Sequence, residues 1–378
     1  MTQPAIRVAI CTSVHDATDA RITFREGRVL ADEFDATLYV LQDGPDSTVD
    51  ATRDGRTLSV RRLGMPRSRI RRFLSGPRLL RTALADGPDV VIIHDPEMLP
   101  WLRLIVGRRG ALTVYDVHED YPSWIRIKQW IPSPLRAPVA WLVDRLERTL
   151  ARGVDVILVA DTFLLDRFAG HRRSPLLVRN HAPLDLFDAG APMRDRGRLI
   201  AYVGGITAVR GSGAMVASFE LARKRVPDAE LLLIGPVQDA SLRDLPEGSR
   251  ATGRMSYDLI GAELARARAG FSIWTDTPKN RHNVPSKLFD YMAAGVPFLT
   301  SDFDNIREAS DGEGGLFFDP DDIPAIADAL VRLLTDDGFA EGLREEALLA
   351  VRERYAFEPE GRRLVEEIRV ALEGRDPR

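Results

Sequence analysis

The chain lacks the features of a disulfide-stabilised or membrane-spanning protein. Its 378 residues include one cysteine, Cys11, which excludes an internal disulfide and a cysteine-based zinc cluster and indicates core packing. No apolar run approaches the roughly 20 residues that cross a bilayer. The N-terminus lacks the basic region and apolar stretch of a secretory signal. We therefore expect a protein of the reducing cytoplasm.

Two common nucleotide motifs are also absent. The sequence holds neither a Walker phosphate loop nor a GxGxxG fingerprint, which argues against nucleotide hydrolysis and against a nicotinamide oxidoreductase. With 52 basic and 56 acidic residues the chain is not basic, and no aromatic–basic RNA motif occurs. Nucleic acid is therefore not an expected partner.

Charge is distributed unevenly along the chain. Up to Ala182 there are 27 basic and 22 acidic residues, and after it 25 and 34. Much of the basic excess lies in residues 61–81, which contain eight arginines and no acid. Such a segment could face anionic lipid or a phosphorylated acceptor, or it could be a solvated surface. The sequence does not distinguish between these three roles for the segment.

Short apolar runs alternate with helix-length stretches, and this pattern predicts an α/β protein with two doubly wound parallel sheets. The length suits two domains of roughly 150 to 200 residues each. The predicted strands are residues 6–12, 36–42, 90–94, 112–118, 154–160, 199–205, 229–236, 269–274 and 297–301. Proline, glycine and charge interrupt the pattern at 180–197, so the domain boundary and a cleft are expected there.

A glycine-containing loop follows the predicted strand at 199–205. The strand ends at Gly204-Gly205, the loop carries Arg210, and a helix is expected to begin near Gly211. Glycines allow close backbone approach, a helix N-terminus offers free N–H groups, and arginine forms a two-pronged contact with phosphate oxygens. The loop therefore suits a pyrophosphate, although an ordinary turn with an exposed arginine has the same pattern.

Residues 275–303 are more informative. Pro285 and Ser286 predict a helix start with a capping side chain, and Gly295 with Pro297 ends the helix. Lys287 could neutralise a diphosphate, and Asp290, three residues on, could accept hydrogen bonds from ribose hydroxyls. Lysine occurs only four times in the chain, so its use here favours a need for a compact ammonium. An ordinary surface Lys–Asp pair is the alternative.

These motifs resemble the donor-binding half of the retaining glycosyltransferases of family 4, which have the GT-B fold. YVGGITAVRG is followed by PSKLFDYMAAGVPFLTS, and GGLFFDPDDIPAIADALVRLL resembles a late segment of the family. SVHDATDARITFREGRVLADEF, IIHDPEMLP and VYDVHEDYP resemble N-terminal segments of members that build surface polysaccharides. The resemblance implies two Rossmann-like domains facing each other across a cleft.

The resemblance also implies domain roles. Residues 1–182 would bind the acceptor, residues 183–357 the nucleotide-sugar donor, and 358–378 would form a helix returning towards the N-terminal domain. Arg210 and Lys287 would hold the donor diphosphate, with His118 contacting the transferring sugar. The remaining donor contacts implied are Gly205, Gly211, Arg254, Met255, Asn283, Ser286 and Asp290.

The chain departs from the family in three places. The first of two acidic residues is missing, because His282 stands where it is expected, and Asn283, His282 or Asp276 could replace it. Gly205 stands where a basic residue is common. The glycine-rich loop after the first strand is replaced by HDATDAR, whose Asp16, Asp19 and Arg21 could contact a substrate or cap the next helix.

The activity implied is transfer of a sugar from a nucleoside-diphosphate sugar, UDP-sugar being the first guess, with retention, no metal ion and no cofactor. Charge on the leaving diphosphate would be stabilised by Arg210 and Lys287. The Asp302–Asp304 pair resembles a metal-binding motif of a different transferase fold. A nucleotide-sugar 2-epimerase and a non-catalytic sugar-nucleotide-binding scaffold remain alternatives.

A glycan or lipid-linked acceptor is expected to bind the N-terminal half. Residues 121–146 mix Trp124, Trp130 and Trp141 with arginine and lysine, a composition found at membrane interfaces. They predict either peripheral attachment to an anionic membrane surface or a helix packed inside the domain.

Overall fold

Two compact units make up the protein in the computed structural model, which describes residues 5–53, 55–106, 110–128, 131–242 and 244–375. Unit 1 comprises Met1–Asn180 and Glu358–Arg378, and unit 2 comprises His181–Phe357. Each unit is built on its own sheet.

Unit 1 contains one sheet with helices connecting its parallel strands. Its strands are β1 Arg7–Thr12, β2 Asp35–Val40, β3 Ser47–Asp50, β4 Thr57–Arg62, β5 Val90–Ile93, β6 Leu112–Val117, β7 Val156–Val159 and β8 Leu176–Leu177. Its helices are α1 Arg28–Glu33, α2 Arg69–Ala85, α3 Leu99–Trp101, α4 Tyr121–Ile127, α5 Ser133–Ala151 and α6 Phe163–Arg167. The strand order is β3-β4-β2-β1-β5-β6-β7-β8. Only the β3–β4 pair is antiparallel among the strands described.

Unit 2 repeats this architecture with six parallel strands. They are β9 Leu199–Val203, β10 Glu230–Ile234, β11 Ser249–Gly253, β12 Ala269–Ser272, β13 Phe298–Ser301 and β14 Gly315–Phe318, in the order β11-β10-β9-β12-β13-β14. The helices are α7 Ser212–Arg223, α8 Tyr257–Leu264, α9 Lys287–Ala293, α10 Asp304–Ser310, α11 Ile323–Thr335 and α12 Asp337–Glu353. The last helix, α13 Phe357–Glu373, begins at the end of unit 2 and belongs mostly to unit 1.

Helix α13 is fastened to unit 1 by packing and by ion pairs. A Cβ on Gly361 would lie 2.8 Å from a Val29 side-chain carbon, so a glycine allows α13 to approach closely. Farther along, Arg369 Nη2 lies 2.6 Å from Glu33 Oε2. In the part of the chain that the structure describes, no helix is both long and apolar enough to cross a bilayer.

All nine strands predicted from the sequence are present, because central strands of a parallel sheet are buried on both faces and appear as continuous apolar runs. Five strands at or near the sheet edges were not predicted from the sequence, namely β3, β4, β8, β11 and β14. Edge strands such as β3 are largely exposed and therefore lack that apolar signal. The basic segment 61–81 spans the end of β4 and much of α2.

The loop after β9 depends on two glycines with left-handed backbone angles. Gly204 has φ of 118° and Gly211 has φ of 75°. A Cβ on Gly211 would lie 1.9 Å from the carbonyl oxygen of Ile273, at the end of β12. Only glycine combines this conformation with this approach, and it thereby positions Arg210 beside the strand ends.

Replacing Gly211 with alanine is expected to lower the stability of unit 2 by about 2 kcal/mol or more, because the new Cβ is strained and collides with the backbone. Gly213, two residues on, is the matched control, since a Cβ there meets no atom within 4 Å. Thermal unfolding should show a clearly lower midpoint for Gly211→Ala and an unchanged or higher one for Gly213→Ala. Equal midpoints for the two variants would contradict the argument.

Candidate active site

Arg210 lies at the end of the glycine loop in unit 2. Thr207 caps a short 3-10 turn, Ala208–Arg210, and its Oγ1 accepts a hydrogen bond from Arg210 N at 3.3 Å. The guanidinium turns back over Gly204 and Gly205, with Nη1 3.4 Å from the position of a Cβ on either residue. The loop therefore holds a guanidinium directly beside accessible backbone.

Lys287 brings a second cation to the same place. It is the first residue of α9 and is only 7% exposed. Its Nζ lies 3.8 Å from the centroid of the Tyr202 ring and 3.6 Å from a Cβ position on Gly204. Burial, together with the charge of Arg210, holds the pKa of Lys287 well below its usual range, against the opposite pull of Asp290.

The two cations have no anionic partner in the described parts of the protein. Lys287 Nζ has no hydrogen-bond partner there, and the charge of Asp290 on the same helix does not offset the burial of the amine. A buried, unpaired ammonium is costly, so such groups are normally paired or serve a ligand. Their convergence over a glycine loop makes this a candidate anion site.

The start of α9 differs from the sequence-based expectation. Ser286 was predicted to cap the helix with its side chain, but it has helical backbone angles, φ −56° and ψ −26°, and makes no capping hydrogen bond. This prediction was wrong, because a capping serine requires an extended backbone. The end of the helix is as expected: Gly295 follows with φ of 57°.

Asp290 is buried on α9 and held by a residue that the sequence analysis missed. Tyr257, the first residue of α8, donates a hydrogen bond from its hydroxyl to Asp290 Oδ1 at 2.5 Å. The two residues are 33 positions apart, so no local pattern indicated the pair. The contact fixes the orientation of the carboxylate that was predicted to bind ribose.

The three candidates for the missing acidic position have different surroundings. Asp276 forms a two-pronged salt bridge with Arg281, both distances being 2.6 Å, so its carboxylate is already neutralised. The backbone carbonyl of Asn283 accepts a hydrogen bond from Asn305 Nδ2 at 2.7 Å, which orders the loop. His282 is exposed.

The remaining predicted donor contacts lie farther along unit 2. Arg254 and Met255 directly follow β11, two strands away from β9 in the sheet, where Arg254 is exposed and Met255 half-buried. The structure thus brings Gly205, Arg210, Gly211, Lys287 and Asp290 together around the ends of β9 and β12. In the DxD-like pair, Asp302 forms a salt bridge with Arg307.

In unit 1 a buried carboxylate organises the surroundings of His118. Asp116 accepts hydrogen bonds from Arg21 Nε at 2.8 Å and Nη2 at 2.6 Å, and from His94 Nδ1 at 2.9 Å. His118 Nδ1 lies 3.2 Å from Asp116 Oδ2, an ionic contact that is not aligned as a hydrogen bond. Burial alone would raise the pKa of Asp116, but Arg21 and the histidines hold it well below its usual range.

The segment that replaces the glycine-rich loop forms a wide turn of helix. Asp19 caps it by accepting hydrogen bonds from the backbone N–H groups of Arg21 and Ile22. Capping the next helix was one of the two roles expected for this segment, the other being contact with a substrate. The helix, Ala20–Gly27, has π geometry, which is rare and frequently marks functional sites. It buries Glu26, whose pKa burial raises to about 8 despite the nearby charge of Arg21.

Three groups of this cluster could form a cation site by distance alone. One ligand atom each from His94, Asp116 and His118 lies within 4.8 Å of the others. However, the Arg21 guanidinium contacts both oxygens of Asp116 and supplies the positive charge that a cation would bring. We therefore interpret these contacts as a hydrogen-bonded network.

His118 was predicted from its resemblance to a family segment, whereas Asp116, His94 and His15 were not predicted. One signal was available: Asp116 is a charged residue inside an otherwise apolar strand, and such a residue needs a buried partner. That its partner is Arg21, 95 positions earlier in the chain, was not visible from the sequence.

Comparisons with known proteins agree with this architecture. Residues 24–183 match the domain described as "Glycosyl transferase 4-like domain", and residues 197–336 match "Glycosyl transferases group 1". The phosphatidyl-myo-inositol mannosyltransferase of Mycolicibacterium smegmatis is 27% identical over 294 residues, 72% of this chain and 70% of the relative.

Two solved structures share the fold over nearly the whole chain. The sucrose-phosphate synthase of Thermosynechococcus elongatus has a TM-score of 0.71 at 14% identity, covering 98% of this chain and 100% of its own. Anabaena HepE in complex with UDP-glucose has a TM-score of 0.68 at 13% identity, covering 97% and 100%.

Two Rossmann-like units with parallel sheets, as found here and in these structures, define the GT-B fold. Because the two matched domains together span most of the sequence, the chain belongs to the GT-B glycosyltransferases of family 4. It is a glycosyltransferase.

Diphosphate binding is expected to be coupled to the uptake of a proton by Lys287. Because its pKa is lowered, Lys287 in the free protein loses its proton at a lower pH than an ordinary lysine, whereas a bound anion favours the ammonium and raises the pKa. Affinity should therefore fall as the pH rises through the Lys287 pKa. Calorimetric titration of UDP in two buffers of different ionisation enthalpy measures the uptake.

Lys287→Arg is the matched variant for this measurement, because arginine keeps the charge but does not titrate in this range. Any binding by that variant should proceed without proton uptake. Proton release by the wild-type protein, or equal uptake by the variant, would contradict the assignment of the anion site to Lys287.

Proposed function

We propose that the protein transfers a sugar from a nucleoside-diphosphate sugar to a glycan or lipid-linked acceptor, with retention, in cell-surface polysaccharide or glycoconjugate synthesis. The observation that carries the proposal is the pair of cations in unit 2, Arg210 and the buried, unpaired Lys287, beside glycine backbone. Their charge and spacing suit a diphosphate, and the buried Asp290 nearby suits the ribose.

The geometry favours electrostatic stabilisation of a leaving diphosphate. As the bond between the sugar carbon and the diphosphate oxygen breaks, negative charge grows on the phosphate oxygens. Arg210, Lys287 and the N-terminus of α7 can stabilise that charge without a metal ion. In the retaining route, the acceptor oxygen bonds to the same face of the sugar carbon, and the acceptor proton passes to a phosphate oxygen.

The named relatives support the substrate classes. HepE was solved with UDP-glucose, which favours UDP-sugar as the first donor to test. The mycobacterial relative is named for a phosphatidyl-inositol acceptor, which favours an acceptor with a lipid portion. Either a hexose or an N-acetylhexosamine is compatible with the described donor site. His118 is the proposed contact to the transferring sugar, and Gly205, Gly211, Arg254, Met255, Asn283 and Ser286 are the further donor contacts.

A thermal-shift screen of UDP, GDP, dTDP and ADP, with and without magnesium, tests the donor class. One diphosphate should raise the unfolding midpoint of the wild-type protein without metal, because a ligand that binds the folded state stabilises it. Lys287→Ala should lose that shift, since it removes a cation from the site.

Lys224→Ala is the control, because Lys224 is an exposed residue after α7 in the same unit. It should keep the full shift. Absence of any shift in the wild-type protein would overturn the donor site and favour a scaffold. A nucleotide sugar that is isomerised without transfer would identify a 2-epimerase.

We further propose peripheral attachment of unit 1 to anionic membrane. Helix α2 exposes Ile70 and Leu74, 74% and 60% accessible, one turn apart and beside the exposed Arg71. Helix α5 exposes Trp141 and two leucines, Leu142 and Leu146. Apolar side chains flanked by arginine suit an anionic lipid surface. Trp124 is half-buried, and Trp130 lies outside the described residues.

Co-sedimentation with vesicles containing anionic phospholipid tests this attachment. The double variant Arg69→Glu and Arg71→Glu should bind at least about thirtyfold more weakly, because each arginine near an anionic surface contributes about 1 kcal/mol. Trp141→Ala should also bind less. Leu259→Ala, an exposed apolar residue of unit 2, is the control. Equal sedimentation with neutral and anionic vesicles would contradict the proposal.

A further inference from the structure

Two histidines of unit 1 meet beyond the ends of β1 and β6. His118 Nε2 and His15 Nε2 are 3.0 Å apart, with the rings edge to face at a centroid distance of 4.7 Å. The other nitrogen of each ring faces a carboxylate: His15 Nδ1 lies 3.1 Å from Asp19 Oδ2, and His118 Nδ1 lies 3.2 Å from Asp116 Oδ2. Both histidines therefore turn the same nitrogen, Nε2, towards each other.

The separation of the two Nε2 atoms is the one expected of neighbouring ligands on a metal ion. Metal–nitrogen bonds of about 2.1 Å that meet at about 90° place two nitrogens about 3.0 Å apart. The ion then lies to one side of the line that joins the nitrogens, about 1.5 Å from it. Binding of the ion therefore requires no space between the two nitrogens.

The carboxylates behind the two rings are also typical of metal-binding histidines. Such a histidine almost always directs its other ring nitrogen to a carboxylate, carbonyl or water, which fixes the tautomer and makes the ligating nitrogen more basic. Asp19 lies in this position for His15, and Asp116 for His118. With a proton on each Nδ1, both Nε2 atoms carry a lone pair, and two lone pairs this close repel unless a cation lies against both.

A buried carboxylate oxygen lies beside the pair. Asp95 is fully buried, and its Oδ2 accepts hydrogen bonds from Thr12 Oγ1 at 2.9 Å and Ser13 N at 2.6 Å. Its Oδ1 lies 3.6 Å from His15 Nε2 and has no hydrogen-bond partner among the residues that the structure describes. Buried charges are normally paired or coordinate a metal, so this oxygen is a suitable neighbour for an ion on His15.

The charge around the pair favours a cation. Asp19 and Asp95 form ion pairs with His15, and Glu119 adds a third negative charge that acts on it. These charges attract a cation and repel an anion. The side chains of His15 and His118 remain 17% and 8% accessible, which leaves an ion a path to the nitrogens.

We propose that His15 and His118 bind one divalent transition-metal ion through their Nε2 atoms, with Asp95 Oδ1 beside it and water in the remaining positions. Imidazole nitrogen suits zinc, copper and nickel, whereas magnesium and calcium prefer oxygen ligands. The ion joins the loop after β1 to the loop after β6, and all of its neighbours belong to unit 1.

This site differs from the cation site considered above, in which Asp116 is a ligand. Here Asp116 stays bonded to Arg21 and only orients His118. The inference goes beyond the proposed function, because the stabilisation of a leaving diphosphate proposed above does not use the ion. Metal binding is measured without a nucleotide sugar, so failure of either proposal leaves the other standing.

Calorimetric titration of zinc into protein freed of metal by a chelator tests the site. The wild-type protein should bind one zinc ion per chain, and His15→Ala and His118→Ala should each bind it at least on the order of a hundredfold more weakly, because each variant lacks a ligand. Asp19→Asn should weaken binding on the order of tenfold to a hundredfold, because it removes the carboxylate behind His15. Asparagine can still cap the helix Ala20–Gly27. Magnesium should produce no binding signal that depends on His15.

His94→Asn and His282→Ala are the matched controls and should keep the full zinc affinity. His282 is exposed in unit 2. His94 belongs to the other possible cation site, and asparagine in its place can still donate to Asp116. Absence of zinc binding by the wild-type protein overturns the proposal. Full affinity in a folded His15→Ala variant, or its loss in a folded His94→Asn variant, also overturns it.

Nuclear magnetic resonance of the wild-type protein tests the same ligands without depending on the folding of any variant. In protein labelled with ¹⁵N at its six histidines, one equivalent of zinc should shift the Nε2 signals of two histidines and leave the other four unchanged. Zinc-induced shifts at Nδ1, or no shift in any histidine, would show that the two Nε2 atoms share a proton only.

Discussion

Charging an amine in a protein interior without a hydrogen-bond partner is costly, and unit 2 holds Lys287 in such an environment. Three features surround the Lys287 amine: the glycines at 204 and 211, the capped turn of Arg210 and the position of α9. The arrangement is explained if the substrate supplies the anion that pairs with this cation. A diphosphate donor would supply such an anion.

In unit 1, by contrast, a buried carboxylate is paired with a cation of the same unit. Arg21 neutralises Asp116 with two hydrogen bonds, and its remaining donors contact the Val178 carbonyl and Asn180. With its charge cancelled internally, Asp116 can orient His94 and His118 without attracting an external ion. The carboxylate therefore works as a support for the histidines, whereas the cations of unit 2 are left ready for a ligand.

The candidate functional side chains of the two units follow one structural rule. In both units the functional side chains follow the carboxyl ends of parallel strands: His15 after β1, His118 after β6 and Arg210 after β9. Loops and helix N-termini gather there because every crossover of a parallel sheet begins at that edge. Arg210 could therefore be singled out from a motif that follows an apolar run, and His118 from its resemblance to a family segment, while the roles of both in binding stay predictions.

The amino-acid sequence by itself determined the α/β class, the nine central strands and the glycine-bounded helix of Lys287, because these depend on apolar periodicity and on local backbone preferences. Only the tertiary structure decided the partners: Arg21 for Asp116, Tyr257 for Asp290, His15 for His118 and the wide helix at residues 20–27. It also showed that Ser286 does not cap its helix. Such contacts join residues tens of positions apart, and they are selected by the burial of charge, which acts through space and leaves no periodic trace in the chain.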